Sequence, residues 1–312
     1  MFKTLTLLFS AAVTMVAAAA DIEWMTNLKA AGKKAAAEDK LLLVEFTGSD
    51  WCSYCIQQKK AVLDKPEFAE WANKHCIAVE IDIPQDATRV GGEAKKAANK
   101  RLSEEYGISN FPSLMLMTPE LVLVGGYSGA QASPQAAIAI LEQHFDTAKE
   151  LKKAMKKKKT ERAVALKAIY DKQPENIRKG NFQLMELIAK ADSSNKTGIR
   201  DEYRPLKQMR TLQAKLEKAA TTEERLTILD AAYKKALPQN KDSIKNLKVA
   251  ELTTAAVKLM QQPASVDDIR KARDYYLQAA ECTGNASQKA DIEKYYADPE
   301  KLYRDIREKQ QK

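Results

Sequence analysis

Cysteine is scarce in this chain, with four residues in 312. A scaffold held up mainly by disulfides would need more in a chain this long, so that class is excluded. Histidine is scarcer still, at two. With no second paired-cysteine motif and no HxxxH, the chain does not assemble the four ligands of a zinc site, and no metal is expected. After residue 20 no apolar run is long enough to span a bilayer. Aromatic residues do not interleave with basic ones as on a nucleic-acid platform. The 51 basic residues are mixed with 42 acidic ones, so the formal charge of +9 reads as a solvated surface and no nucleic-acid partner is expected. With 45% hydrophobic and 30% charged residues, the composition is that of a core-forming chain, long enough for two domains.

The first twenty residues stand apart. "MFKTLTLLFSAAVTMVAAAA" places one lysine, Lys3, before an apolar run that ends in small residues. This is the build of a signal peptide cleaved after Ala20, with an uncleaved membrane anchor as the rival reading, and it predicts a periplasmic or secreted protein with no stable membrane insertion after cleavage. No cysteine follows the cleavage site, which argues against a lipoprotein. Outside the membrane the surroundings are oxidising and a disulfide can persist.

From residue 21 to 149 strand-like and helix-like segments alternate. Residues 22–39 have helical spacing, "LLLVEF" (41–46) reads as a buried strand, and 52–75 as a helix bent or restarted around Pro66. "IAVEIDI" (77–83) is a second strand, "PQDATRVGG" breaks the pattern, and 93–107 returns to helix. "SLMLM" and "LVLVGGY" flank the turn-like "TPE" as a hairpin. Ser133 and Pro134 then open a long helix as cap and first residue. This order predicts an α/β domain with a mixed sheet. From 150 to 312 the strand signals stop and helices follow one another, predicting an all-α helical-hairpin domain for partner or substrate binding, or for dimerisation. A weak echo pairs Glu161, Leu166 and Tyr170 with Glu224, Leu229 and Tyr233 at one offset, as in tetratricopeptide-type packing, but without the full repeat pattern. The run "KKAMKKKK" (152–159) is read as a solvated helix end, with a docking patch for acidic partners as the rival.

Chemistry concentrates in "FTGSDWCSYCIQQ". Cys52 falls where a strand and short loop give way to a helix. The unpaired N–H groups and positive end of a helix favour a thiolate there, and cysteines so placed in CxxC motifs have pKa values of roughly 3.5–7.5. Cys55, one turn on, can close a disulfide with it. The spacing suits thiol–disulfide exchange, Cys52 attacking and Cys55 resolving. Cys76 and Cys282 read as buried small hydrophobes, with a disulfide between them as the sharper alternative. His75 and His144 read as structural or surface residues.

Taken together, "LLVEF…WCSYC", "YGISNFPS" and "GGYSG" resemble the thioredoxin superfamily over residues 22–148, and the "FTGSDWC" wording most resembles its exported bacterial disulfide-handling members. The resemblance implies a thioredoxin-like fold, Cys52 as nucleophile, Cys55 as resolving thiol and Pro112 as a cis-proline against the pair. It implies Glu45 as the buried acid that takes a proton from the second cysteine, although the loop before Cys52 is one residue longer than in thioredoxin. Trp51, Tyr54, Phe111 and Gly129 would contact substrate, Trp51 as an aromatic shield and Gly129 where a substrate backbone approaches. Ser53-Tyr54 replaces the Gly-Pro of reducing thioredoxins, which leans away from a strong cytosolic-type reductant.

The expected function is thus an exported oxidase, isomerase or reductase of protein disulfides. It would need no cofactor beyond the Cys52–Cys55 disulfide. Its partners would be exported protein thiols and a redox partner protein, with a homodimer through the helical domain as a further expectation. The alternative is an adaptor whose helical domain binds partners while the α/β domain serves as scaffold.

Overall fold

The computed structural model describes residues 21–310. The expected signal segment, residues 1–20, lies outside them. Two compact units divide at Arg200, the first running to Arg200 and the second covering residues 201–312.

The first unit is built on a five-stranded mixed sheet. Its strands are β1 (Trp24–Met25), β2 (Leu41–Thr47), β3 (Cys76–Asp82), β4 (Ser113–Met117) and β5 (Leu123–Ser128), in the order β1-β3-β2-β4-β5. The β1–β3 and β2–β3 pairs are parallel, while β2–β4 and β4–β5 are antiparallel. Because strand side chains alternate between faces, Leu42, Val44 and Phe46 join Ile77, Val79, Ile81, Met115 and Met117 in one core. Helix α1 (Leu28–Glu38) adds Leu28, Ala31 and Ala35 to it. Leu43, Glu45 and Thr47 face the other way.

The segment after β2 is helical in three pieces. α2 (Ser53–Gln58) runs directly into a π-helical turn, Lys59–Leu63, and α3 (Pro66–His75) restarts with Pro66 at its first position. Pro66 has no N–H to donate, which suits a helix start and not an interior. A 3-10 turn (Ala87–Val90) and α4 (Glu93–Glu105) follow β3. Ser133 caps α5 (Pro134–Glu142) by accepting from Ala136 N at 3.2 Å. The single long helix expected from residue 134 onward is broken, since α5 ends at Glu142 and α6 (Phe145–Met155) begins after it. His144 sits at the break with its ring packed against Gly125 of β5, where even an added Cβ would meet the imidazole.

The domain boundary expected at 149/150 is displaced by fifty residues. α7 (Lys159–Lys172), α8 (Glu175–Gly180) and α9 (Phe182–Ala191) belong to the first unit. β5 is an edge strand, and the Asn181 side chain pairs with it as another strand would. Asn181 Oδ1 accepts from Leu123 N at 3.1 Å, and its Nδ2 donates to Leu123 O at 2.8 Å. Gln173 Nε2 also donates to Leu123 O, at 2.9 Å. Covering an exposed edge in this way satisfies backbone groups that would otherwise invite a foreign strand.

The second unit is helical throughout its described residues. It comprises α10 (Ile199–Leu216, reaching back across the division), α11 (Thr222–Lys234), α12 (Lys241–Gln261), α13 (Val266–Thr283), α14 (Ala286–Tyr295) and α15 (Pro299–Gln310). Its core comes in successive small clusters. Leu212, Leu216, Leu229 and Ile244 form one, Leu252, Ala256, Ala272 and Tyr275 the next, and Ile269, Ala280, Ile292 and Tyr296 a third. Of the echoed residues, Leu166 and Leu229 are both buried, whereas Tyr170 is buried and Tyr233 exposed. Cys76 and Cys282 are both free and not joined in a disulfide; Cys76 is buried as expected, whereas Cys282 is only half-buried, which corrects the expectation of a buried residue there. Cys76 starts a core strand, where burial pushes its thiol up to about 12.

Candidate redox site

Cys52 is the N-cap of α2, with extended backbone angles (φ −88°, ψ 102°) and its sulfur accepting from Cys55 N at 3.2 Å. It is disulfide-bonded to Cys55, with the Cα atoms 5.2 Å apart. Cys55 lies in the first turn of α2 and is 2% exposed, against 7% for Cys52, so Cys52 is the sulfur nearer the surface.

Three consecutive residues hold the loop before Cys52 in place. Ser49 donates to the Asp82 carboxylate through its N–H (2.9 Å) and its hydroxyl (2.6 Å). Asp50 accepts from Gln85 N (2.8 Å) and Asp86 N (3.0 Å), which holds its carboxyl below the usual range. Trp51 donates from Nε1 to Ile83 O at 2.8 Å. The longer loop is thereby clamped to the end of β3 and to the "PQDATRVGG" stretch. Asp50 is one of the clamps.

On the other side of the disulfide, the Phe111–Pro112 peptide bond is cis. The Phe111 carbonyl oxygen lies 3.7 Å from Cys52 Sγ. The disulfide sulfur has no proton, so this is a contact; a reduced Cys52 thiol could donate to the same oxygen. The Trp51 ring meets Phe111 edge-on, with centroids 6.1 Å apart. Tyr54 is 64% exposed and, with Gln57, Phe111, Gly129, Ala130 and Gln131, lines a surface groove of about 340 Å³ beside Cys52. Gly129 has φ +92°, a conformation that favours glycine, and donates its N–H to Pro112 O at 2.8 Å. Four predicted residues, Trp51, Tyr54, Phe111 and Gly129, thus gather around or beside one groove.

Glu45 is buried on the β2 face covered by the helical segment 53–63. Burial, then the neighbouring Glu80 carboxylate, pushes its carboxyl up to about 8, while Lys59 pulls the other way. Glu80 is its partner in the β2–β3 register, and its own carboxyl is raised by burial and by Asp82.

Several site residues escaped sequence reading. Gln58 is 1% exposed; its Nε2 donates to Tyr127 Oη at 2.6 Å and its Oε1 accepts from Gln131 N at 2.7 Å. It therefore joins α2 to β5 and to the groove wall. The period-two spacing of Glu80 and Asp82 in "IAVEIDI" was the available signal for the carboxylates sharing a face. Gln58 and Tyr127 both lie in stretches the sequence singles out, but nothing in the sequence marks them as partners. Among the described residues no His, Cys, Asp or Glu group is arranged to hold a metal ion.

Residues 28–145 match the model of a thioredoxin-like domain. The fold of this segment is thioredoxin-like, a mixed sheet flanked by helices. Two curated relatives come from Chlamydia pneumoniae. The disulfide bond reductase DsbH is 32% identical over 103 residues, which is 33% of this chain and 60% of the relative. The thioredoxin-related protein DsbJ is 29% identical over 99 residues, 32% of this chain and 28% of the relative. The chain thus spans less than two thirds of either. Among solved structures, a DsbH oxidoreductase matches with TM-score 0.38 and 24% identity over 47% of this chain and 95% of that one. The oxidised C-terminal domain of Neisseria meningitidis DsbD matches with TM-score 0.31 and 21% identity over 39% of this chain and 99% of that one. The thioredoxin-like domain carries the disulfide, the cis-proline loop and the groove.

Proposed function

We propose that this chain is an exported thiol–disulfide oxidoreductase that reduces disulfides in exported proteins. The observation that carries the reading is the Cys52–Cys55 disulfide at the start of α2, with Cys52 the more exposed sulfur and the cis-Pro112 loop and a groove beside it. The reductive direction is supported by the similarity to a protein named a disulfide bond reductase. Export rests on the composition of residues 1–20.

In the forward step the Cys52 thiolate attacks one sulfur of a substrate disulfide. A mixed disulfide forms and one substrate thiolate leaves. The Cys55 thiol passes its proton to Glu45, or to water, and attacks Cys52 Sγ. The Cys52–substrate bond breaks, the second substrate thiolate leaves and takes up a proton, and the Cys52–Cys55 disulfide is restored. Two electrons have moved from the pair to the substrate, and a dithiol redox partner must return them. A neutral carboxylic acid cannot accept a proton, so the raised Glu45 serves as acceptor only in its ionised fraction. That fraction grows toward pH 8. The substrate backbone would lie along the groove, against the Phe111–Pro112 and Gly129 segments.

The test is insulin reduction by the chain lacking residues 1–20, pre-reduced, against its Cys52→Ser variant. Turnover that disappears in the variant supports the reading, and equal turnover in both refutes it. Titration against glutathione fixes direction. A potential near about −270 mV fits a reductant, whereas roughly −120 to −200 mV would reassign the chain as an oxidase or isomerase.

A further inference from the structure

At the other end of the sheet from Cys52 lies a cavity of about 590 Å³. β2 separates the two, its seven residues spanning about 20 Å at roughly 3.3 Å each. The cavity is walled by Leu41 at the start of β2, by Leu151 of α6, and by Leu166 and Leu184 of α7 and α9. It therefore lies wholly within the first unit. Its size falls within the roughly 300–1,000 Å³ of small-molecule sites, and its walls are mostly apolar, as in such sites.

The charges at its mouth give the cavity a chemistry. Lys40, Lys149, Lys152 and Lys156 line the mouth together with Asp39 and Glu120. Asp39 accepts from Lys152 Nζ at 2.8 Å, and just outside the lining Glu38 pairs with Lys40 at 2.9 Å and Asp146 with Lys149 at 3.0 Å. Lys156, with Lys153, Lys157, Lys158 and Lys159 beyond the cavity edge, leaves the mouth with an excess of positive charge. A helix C-terminus favours lysines, but that preference does not explain the apolar cavity they border.

We propose that this cavity binds a single-chain anionic amphiphile, an alkyl carboxylate, with its chain between α6, α7 and α9 and its head group among the lysines of the mouth. The lysine run left unassigned by the redox chemistry becomes the electrostatic collar of this site. The proposal does not depend on the redox reading.

The test is isothermal titration of the chain lacking residues 1–20 with dodecanoate below its micellar concentration. Dodecyltrimethylammonium and an uncharged hydrophobic decapeptide serve as comparison probes. Saturable one-to-one binding of dodecanoate is expected. The exposed double reversal, Lys152→Glu together with Lys156→Glu, should weaken it by about tenfold or more, as expected when attraction to the carboxylate is replaced by repulsion. An unchanged thermal melt would show that the variant folds. Absence of saturable binding, equal affinity for the cationic probe, or indifference to the lysine reversals would overturn the proposal. Binding of the decapeptide with dodecanoate silent would also overturn it, assigning the cavity to a polypeptide.

Discussion

Glu45 and Glu80 are direct partners in the parallel register of β2 and β3, so two carboxylates lie side by side on one face of the sheet. Glu45 is 4% exposed, and burial followed by the Glu80 charge raises its carboxyl to about 8. Two adjacent carboxylates in a poorly solvated place resist ionising together. The arrangement puts a proton acceptor of near-neutral pKa on the face covered by the helical segment that carries Cys55.

Glu45→Gln should stabilise the protein, and more so as pH rises. Unfolded, Glu45 releases its proton near 4.5; folded, it holds it to about 8. Between those values the folded state binds more protons than the unfolded one. Stability is therefore fully present below the unfolded value and is lost as pH rises to about 8. At pH 7 the variant should gain roughly 3 kcal/mol, an upper figure from 1.36 kcal/mol per pKa unit. Urea unfolding at pH 5 and pH 8 checks this, and a gap that does not widen with pH refutes it. The same variant should resolve mixed disulfides more slowly, because the carboxyl acceptor is gone.

Glu80→Gln should lower the pKa of Glu45. Of the charged groups that bear on Glu45, Glu80 and Asp82 raise it and Lys59 lowers it, so removing Glu80 leaves Asp82 and burial against Lys59. Carbon-13 NMR of the Glu45 carboxyl should show its midpoint moving down, and the stability loss should move to lower pH with it. An unmoved midpoint would mean that burial alone sets the value.

The elements of the thioredoxin-like domain were legible because each has a local cause. Apolar runs bounded by breakers gave β2, β3 and β4, and Ser133-Pro134 gave the start of α5. CxxC and Phe111-Pro112 could be read together because both are short and contiguous. What escaped depends on pairing across the chain. The edge cover by Asn181 joins residues 58 apart in sequence, and no local pattern announces it, so the boundary was placed too early. Likewise, Gln58 reads as an ordinary helix residue until Tyr127 and Gln131 arrive beside it. The break before α6 follows from His144 packing on Gly125, a contact with no sequence signature.

Asn181→Ala should destabilise the first unit by about 3 kcal/mol, since it leaves the buried Leu123 N–H without its partner and takes one of the two side-chain donors from Leu123 O. Asn181 is fully buried and also donates to Gln173 Oε1 at 2.9 Å. A fragment ending at residue 149 should lose this cover altogether and aggregate through the bared β5 edge, whereas one ending at residue 200 should stay monomeric. Thermal melts of the variant and light scattering of the two fragments check both expectations. A soluble, equally stable 149-residue form would refute the structural role given to α7–α9.

In the reduced protein, Cys52 should alkylate first. Its sulfur accepts from Cys55 N and caps α2, both of which favour a thiolate, while Cys55 is almost wholly buried. Limiting iodoacetamide at pH 6 to 7 should label Cys52 about tenfold or more over Cys55, as thiolate character and access together dictate. Cys76, buried with its thiol pushed up to about 12, should stay unlabelled until the chain unfolds. Peptide mapping by mass spectrometry reads all of these positions in one experiment. Labelling of Cys55 ahead of Cys52 would reverse the roles of attacking and resolving thiol, and with them the order of bond-breaking proposed for substrate reduction.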